Sequence, residues 1–114
     1  MKAKLSTNIN FPTEDADRAA EFYHRIMGMG GFEQNSEWTK VSDGNITLYF
    51  DRDTSTAGPI FEFIVSNLEE ARKELIAAGC TVVRWDGPGK PNYIRDPFGF
   101  LFNLWEDPNA FNEH

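Results

Sequence analysis

Cysteine is nearly missing from this chain of 114 residues. Cys80 stands alone, so an intrachain disulfide or a cysteine-based metal cluster is excluded and a reducing compartment is the natural setting. Histidine is scarce too: His24 falls inside a predicted helix, where a solvated side chain is expected, and His114 is the terminal residue, where fraying is expected. Long apolar runs are absent, so no segment reads as membrane-spanning. The start, Met1-Lys2-Ala3-Lys4-Leu5 running into Ser6-Thr7-Asn8, lacks the apolar stretch of a secretion signal. Basic residues are outnumbered, 11 Lys and Arg against 18 Asp and Glu, for a net charge of -7. That balance argues against a nucleic acid as partner and favours neutral or cationic small molecules. The expected location is cytoplasmic, with no membrane and no nucleic acid as partner.

What is plentiful is aromatic. Ten Phe, three Tyr and three Trp make up 14% of a chain that is 40% hydrophobic, more than a core of this size needs. These residues sit in a series of elements that occurs twice. Leu5 to Pro12 alternates as a strand, with Thr7, Ile9 and Phe11 on one side and Asn8 and Asn10 on the other. Asp15 is placed to cap a helix over about 15–27, its buried stripe being Ala16, Ala19, Ala20, Tyr23, Ile26 and Met27, and Gly28 ends it. Strands over 32–34, 37–41 and 46–50 follow, the last two joined by Asp43-Gly44, a hairpin signal. Residues 51–58 read as a linker.

Then the series restarts. Ile60 to Val65 is a strand. Ser66-Asn67-Leu68-Glu69 fits a capping box, and Leu68, Ala71, Leu75 and Ala78 mark the stripe of a second helix. Thr81 to Trp85 is a strand with Cys80 as a small buried residue before it. A closing hairpin turns at Asp96-Pro97-Phe98-Gly99, where proline fixes one φ and glycine supplies a positive one. Asn8 aligns with Ile60, Asp15 with Asn67 and Tyr23 with Leu75 at one constant spacing; Trp38 with Tyr93, Lys40 with Arg95, Gly44 with Gly99 and Leu48 with Asn103 at a slightly larger one. The chain is read as one domain over 1–114, built from a module at about 5–53 and its repeat at about 58–107.

Paired modules of this order, with Phe22-Tyr23 in the first helix and Asp96-Pro97-Phe98-Gly99 leading into Leu104-Trp105-Glu106, resemble the vicinal oxygen chelate superfamily of glyoxalases, bleomycin-resistance proteins and dioxygenases. The resemblance implies an α+β fold in which two tandem βαβββ modules form a half-open, eight-stranded mixed-sheet barrel around a pocket, with helices on the outer face and a homodimer often completing it. It also implies four inward positions that hold a divalent metal in the metal-dependent members. Carried over, these are Asn8 and Ile60 on the first strands and Leu48 and Asn103 on the last. Two hydrocarbons and two neutral amides do not supply the donors such a metal needs. The expectation is therefore no metal and no cofactor, as in the bleomycin-resistance-like members.

Strand parity then predicts the pocket lining: Asn8, Asn10, Ile60 and Glu62 from the first strands, Leu48 and Phe50 with Ile46 from one hairpin, and Leu101, Asn103 and Trp105 from the other. Trp38, Lys40, Tyr93 and Arg95 adjoin them, their facing left open, and Phe61, Phe63 and Val65 are assigned to the core. Such a lining is apolar and aromatic with a few fixed polar groups, as in small-molecule sites. Glu62, between phenylalanines, either meets Arg95 or Lys40, awaits a basic ligand, or lies at a sheet edge. Trp105 serves either ligand stacking or a subunit interface. The leading expectation is a metal-free protein that sequesters a small aromatic or cationic compound. The alternatives are an enzyme of this fold, without metal or with one at positions such as Asn8, Glu62 and Asn103, and a dimerising interaction domain.

Overall fold

The structure, a computed structural model, describes residues 1–112; His114 lies outside them. The described residues form an α+β fold in the order β1 (Ala3–Pro12), α1 (Ala16–Arg25), β2 (Gly30–Gln34), β3 (Trp38–Ser42), β4 (Thr47–Asp51), β5 (Ile60–Val65), α2 (Leu68–Ala77), β6 (Thr81–Trp85), β7 (Asn92–Arg95) and β8 (Leu101–Glu106). The βαβββ series is thus laid down twice. Two compact units result, one of Thr7–Ile60 and one of Met1–Ser6 with Phe61 onwards. Strands in the first unit lie in the order β2-β3-β4-β1 and in the second β5-β8-β7-β6. Each unit has one parallel pairing, β1 with β4 and β5 with β8, and is otherwise antiparallel. No helix among the described residues is long and apolar enough to cross a membrane.

Each helix covers one face of its own strands. In the first unit Ala16 and Ala20 of α1 bring the helix close to Val41 and Phe50, with Phe11, Tyr23, Met29 and Leu48 packed around them. Phe50 stacks between Tyr23 and Phe11 at ring separations of 5.5 and 5.7 Å. In the second unit Leu68 and Ala71 of α2 meet Val65, Ile94 and Leu104, with Phe63, Leu75, Cys80, Val82, Trp85 and Phe102 around them. Burial, with the Asp96 carboxylate nearby, pushes the Cys80 thiol up, which leaves it a packing residue.

The helix ends differ from the expected pattern for local reasons. Asp15 occupies the cap position of α1 without a side-chain cap bond. The stripe does not extend to Ile26 and Met27, which are well exposed, because α1 stops at Arg25 and Gly28 turns the chain at φ 75°. His24 holds that turn, its Nδ1 donating to the Met29 carbonyl at 2.5 Å. For α2 the Ser66/Glu69 box is not formed. Asn67 caps the helix by accepting from the Glu70 N–H, and the Leu68 N–H donates to Glu106 Oε2 at 2.8 Å. A carboxylate from β8 thus does what Glu69 was expected to do. Phe61, assigned to the core, is 43% exposed at the start of β5.

Two turns set the register of the sheets. In the first hairpin Asp43 N–H donates to the Ile46 carbonyl while its carboxylate accepts from the Asn45 and Ile46 N–H groups. In the second, Asp96 N–H donates to the Phe100 carbonyl and its carboxylate accepts from Phe98 and Phe100, with Gly99 at φ 94°. Ser42 therefore pairs with Thr47, but Arg95 pairs with Leu101, so the second turn is one residue longer.

Asp17 ties α1 to its sheet. Its Oδ1 accepts from the fully buried Thr39 hydroxyl and from Arg52, which also reaches the Thr39 Oγ1 and the Asn35 carbonyl. The Thr39 hydroxyl first, and then Arg52, hold the Asp17 carboxyl below its ordinary value. The Ile46 and Asn45 amides do the same for Asp43. A carboxyl that titrates lower when folded stabilises fully above its unfolded pKa, and that stabilisation is lost as pH falls through the folded value. The urea midpoint should accordingly be flat near neutrality and fall steeply in acid. In Asp17→Asn the neutral-pH midpoint should drop and the acid limb should shallow. Leu104→Ala, opening a cavity in the second core, should cost about 2–5 kcal/mol by the same measurement.

Candidate functional site

The side chains left on the face away from each helix are the candidates for function, and register decides which they are. Residues directly opposite across a strand pair share a face. In the first unit Asn10 pairs with Tyr49, and Tyr49 with Lys40; Asn8 pairs with Thr47; Trp38 pairs with Asp51. This open face therefore carries Asn8, Asn10, Trp38, Lys40, Thr47 and Tyr49. Trp38 and Tyr49 meet edge to face at 5.0 Å. Lys40 lies over both rings, at 5.6 and 5.8 Å, and pairs with Glu33 at 3.2 Å. Asn10 donates to Asp51 at 3.3 Å.

Leu48 and Phe50 were expected on this face and are not there. Both pack against α1, and Ile46 lies in the turn. The cause is the unequal hairpins. Matching Gly44 to Gly99 assumed equal turns, whereas the shorter first turn makes Tyr49, not Leu48, the counterpart of Asn103: Asn10 pairs with Tyr49 as Glu62 pairs with Asn103. A slip of one residue exchanges the faces of a strand.

In the second unit the expected parity is observed. Glu62 pairs with Asn103, Asn103 with Tyr93, and Tyr93 with Arg84, one row across four strands. Leu101 and Arg95 form the neighbouring row, and Trp105 with Ile64 the row beyond. Ile60 has the parity of Glu62 and is 1% exposed; Trp105 is 40% exposed. Asn103 is fixed at both ends: its Oδ1 accepts from the Asn92 N–H at 2.7 Å, and its Nδ2 donates to Glu62 Oε2 at 2.9 Å. Asn92 itself is fully buried. Its side chain accepts from the Asp86 and Gly87 N–H groups and donates to the carbonyls of Gly87, Lys90 and Leu104. Lys40 pairs with Glu33, and Arg95 donates to the Gly99 carbonyl. Arg84 bonds Asp86 at 2.9 Å and lies over the Tyr93 ring.

Sequence reasoning passed over Tyr49, Arg84 and Asn92. The alternation of Trp38-Thr39-Lys40-Val41 identifies Lys40's face, and through it Tyr49, once the turn length is known. The clamp at Asn92 has no such signal, because its partners are backbone groups of a loop.

The residues can be tested against a divalent metal module by module. By the observed register the inward positions are Asn8 and Tyr49 in the first, and Ile60 and Asn103 in the second. Ile60 has no lone pair, and Asn103 Oδ1 already accepts the Asn92 N–H. Among the described residues no group of three or more His, Cys, Asp and Glu is placed to hold a metal. Neither module's donor set fits such an ion.

A βαβββ unit repeated once, with a helix on one face of each four-stranded half, defines a class of paired-module α+β proteins. The model of the glyoxalase-like domain matches residues 8–105, and the chain belongs to that family. No curated protein matches it. Solved structures are similar at the level of fold. Methylmalonyl-CoA epimerase from Mycobacterium tuberculosis has a TM-score of 0.60 and 21% identity, over 90% of this chain and 86% of that one. A glyoxalase/bleomycin resistance protein/dioxygenase superfamily member from Vibrio splendidus 12B01 has a TM-score of 0.60 and 12% identity, over 90% and 97%. An extradiol ring-cleaving dioxygenase from B. fuscum has a TM-score of 0.60 and 18% identity, over 91% of this chain and 32% of that one.

The observed facing has a direct test. Phe50→Ala should destabilise by about 3–5 kcal/mol in chemical denaturation, as an aromatic lost from a core does. Tyr49→Ala, on the other face, should cost well under that.

Proposed function

We propose that this protein is a metal-free binding protein that sequesters a small aromatic or cationic organic compound, acting as a homodimer. The observation that carries this reading is the second unit's open face. There a carboxylate, Glu62, is held by an amide that is itself locked, between Tyr93 and the half-exposed indole of Trp105. Fixed polar groups among flat apolar side chains are what orient a small organic ligand, and aromatic contact adds about 0.5–2 kcal/mol per ring. Membership of the glyoxalase-like family and the net charge of -7 agree with it. Metal independence is supported by the poor donor set in each module. The excess of exposed aromatics, Phe98, Phe100 and Trp105 among them, supports self-association.

A second reading is favoured by the same Glu62–Asn103 contact. An oriented carboxylate is also what a proton-transfer enzyme needs, and the fold neighbours include an epimerase.

Elemental analysis of the purified protein should find no stoichiometric zinc, iron, manganese or nickel; finding one overturns the metal-free reading. Titrating a panel of planar and cationic compounds while following tryptophan emission should give saturable quenching, with bound compounds recovered unchanged. Silence across the panel removes the binding function, and recovery of an altered compound replaces it with the enzymatic one. Light scattering on the eluting protein should give twice the 13.0 kDa chain mass.

A further inference from the structure

We propose that the tip of the second hairpin of one copy docks into a groove on α1 of another, and that the reciprocal contact closes a dimer. This rests on the self-association put forward above and adds the two surfaces that make it.

The first surface is the outer side of α1. Ala16, Ala20 and Tyr23 take the inner side, so helical spacing puts Arg18, Phe22 and Arg25 on the opposite one. That side of a surface helix is ordinarily polar. Here Phe22 is 50% exposed and Ile26 is 67% exposed, and with Arg18, Glu21 and Arg25 they line a groove of about 240 Å3. A cavity of about 150 Å3 already holds benzene, so the groove has room for a phenyl ring. The second surface is the tip between β7 and β8, where Phe98 and Phe100 are 83% and 70% exposed. The backbone beneath them is fixed. The Asp96 carboxylate accepts from both of their N–H groups, at 2.8 and 2.9 Å, and Arg95 donates to the Gly99 carbonyl. Rings carried on a preset turn lose little freedom on docking.

The duplication serves as an internal control. The positions in α2 that match Arg18 and Phe22 are Glu70 and Glu74, both exposed, and the first hairpin turns through Asp43, Gly44, Asn45 and Ile46 without an aromatic. A βαβββ unit forms in either case, so neither the apolar groove nor the phenyl pair is required by the fold. The two features also fit one another. The groove is recessed and flanked by guanidiniums, and the tip protrudes and presents ring faces, which attract guanidiniums. The exposed parts of the two phenyl rings supply about 300 Å2. One tip in one groove therefore removes about 600 Å2 over both partners, half of the roughly 1,200 Å2 at which specific interfaces begin. Two reciprocal contacts reach that area, and a twofold pair is the commonest closed assembly.

The test is light scattering on the full chain across a dilution series. Phe98→Lys at the tip and Phe22→Glu in the groove should each weaken dimerisation by at least about thirtyfold, as loss of a central aromatic does. Both side chains face solvent, so circular dichroism of the folded chain should be retained. Mixing the two variants should restore a dimer, because the new lysine then meets the new glutamate while the other contact is native. Recovery on mixing also shows that both variants fold. Variants that dimerise as the unaltered chain does, or that stay monomeric when mixed, overturn the proposal and leave the homodimer standing. Dimer loss in Phe98→Lys alone marks a contact between tips, and in Phe22→Glu alone a contact between α1 helices; either overturns it. An unaltered chain that remains a monomer removes the homodimer and these surfaces together, and its sedimentation with phosphatidylcholine vesicles would assign the rings to a lipid surface instead.

Discussion

The contact of each helix with its own four strands is the constraint from which the rest of the structure follows. Ala16 and Ala20 let α1 come close to Val41 and Phe50, and Leu68 and Ala71 place α2 on Val65, Ile94 and Leu104. Small side chains at the contact allow the approach, and close packing then makes it selective. Once a helix has taken one face, alternation along each strand delivers every second residue to the other. The open faces are a remainder of core formation, and no residue reaches them except by strand parity. Side-chain bonds reinforce the same contact from the polar side: Asp17 with Thr39 and Arg52 in the first unit, Glu106 with the Leu68 amide in the second.

This dependence explains how far the sequence could be read. Elements and their order were legible because each is marked locally. Thr81–Trp85 and Ile60–Val65 have the bounds that their β-rich runs suggest, and the paired turns at Asp43-Gly44 and Asp96-Pro97-Phe98-Gly99 lie where they were expected. The second unit's open face was legible for the same reason, since Glu62, Asn103 and Trp105 follow from alternation alone. The first unit's was misread in β4. Nothing in the one-dimensional pattern separates a four-residue from a five-residue hairpin turn when both contain Asp and Gly, yet that difference moves Leu48 and Phe50 to the core and Tyr49 to the surface. Helix capping was misread for a different reason: the carboxylate that completes α2, Glu106, is distant in sequence and close only in the fold.

The two modules have also diverged in how they treat charge. In the first, Lys40 is drawn over Trp38 and Tyr49 and closed by Glu33, a self-contained group. In the second, Glu62 accepts from the Asn103 amide, and Arg84 bonds Asp86 and lies over the Tyr93 ring. One half has its aromatics covered by a resident lysine, and the other has a carboxylate held by an amide.

The placement of the indoles has an optical corollary. Two of the three tryptophans sit beneath cations of the chain itself, Trp38 under Lys40 and Trp85 under Arg72 at 5.0 Å. Their surroundings are set by these contacts within the chain. Trp105 is the exposed one on the second unit's open face. Under the binding reading proposed above, Trp105 is the indole whose emission a compound on that face would change, with Trp38 and Trp85 as background.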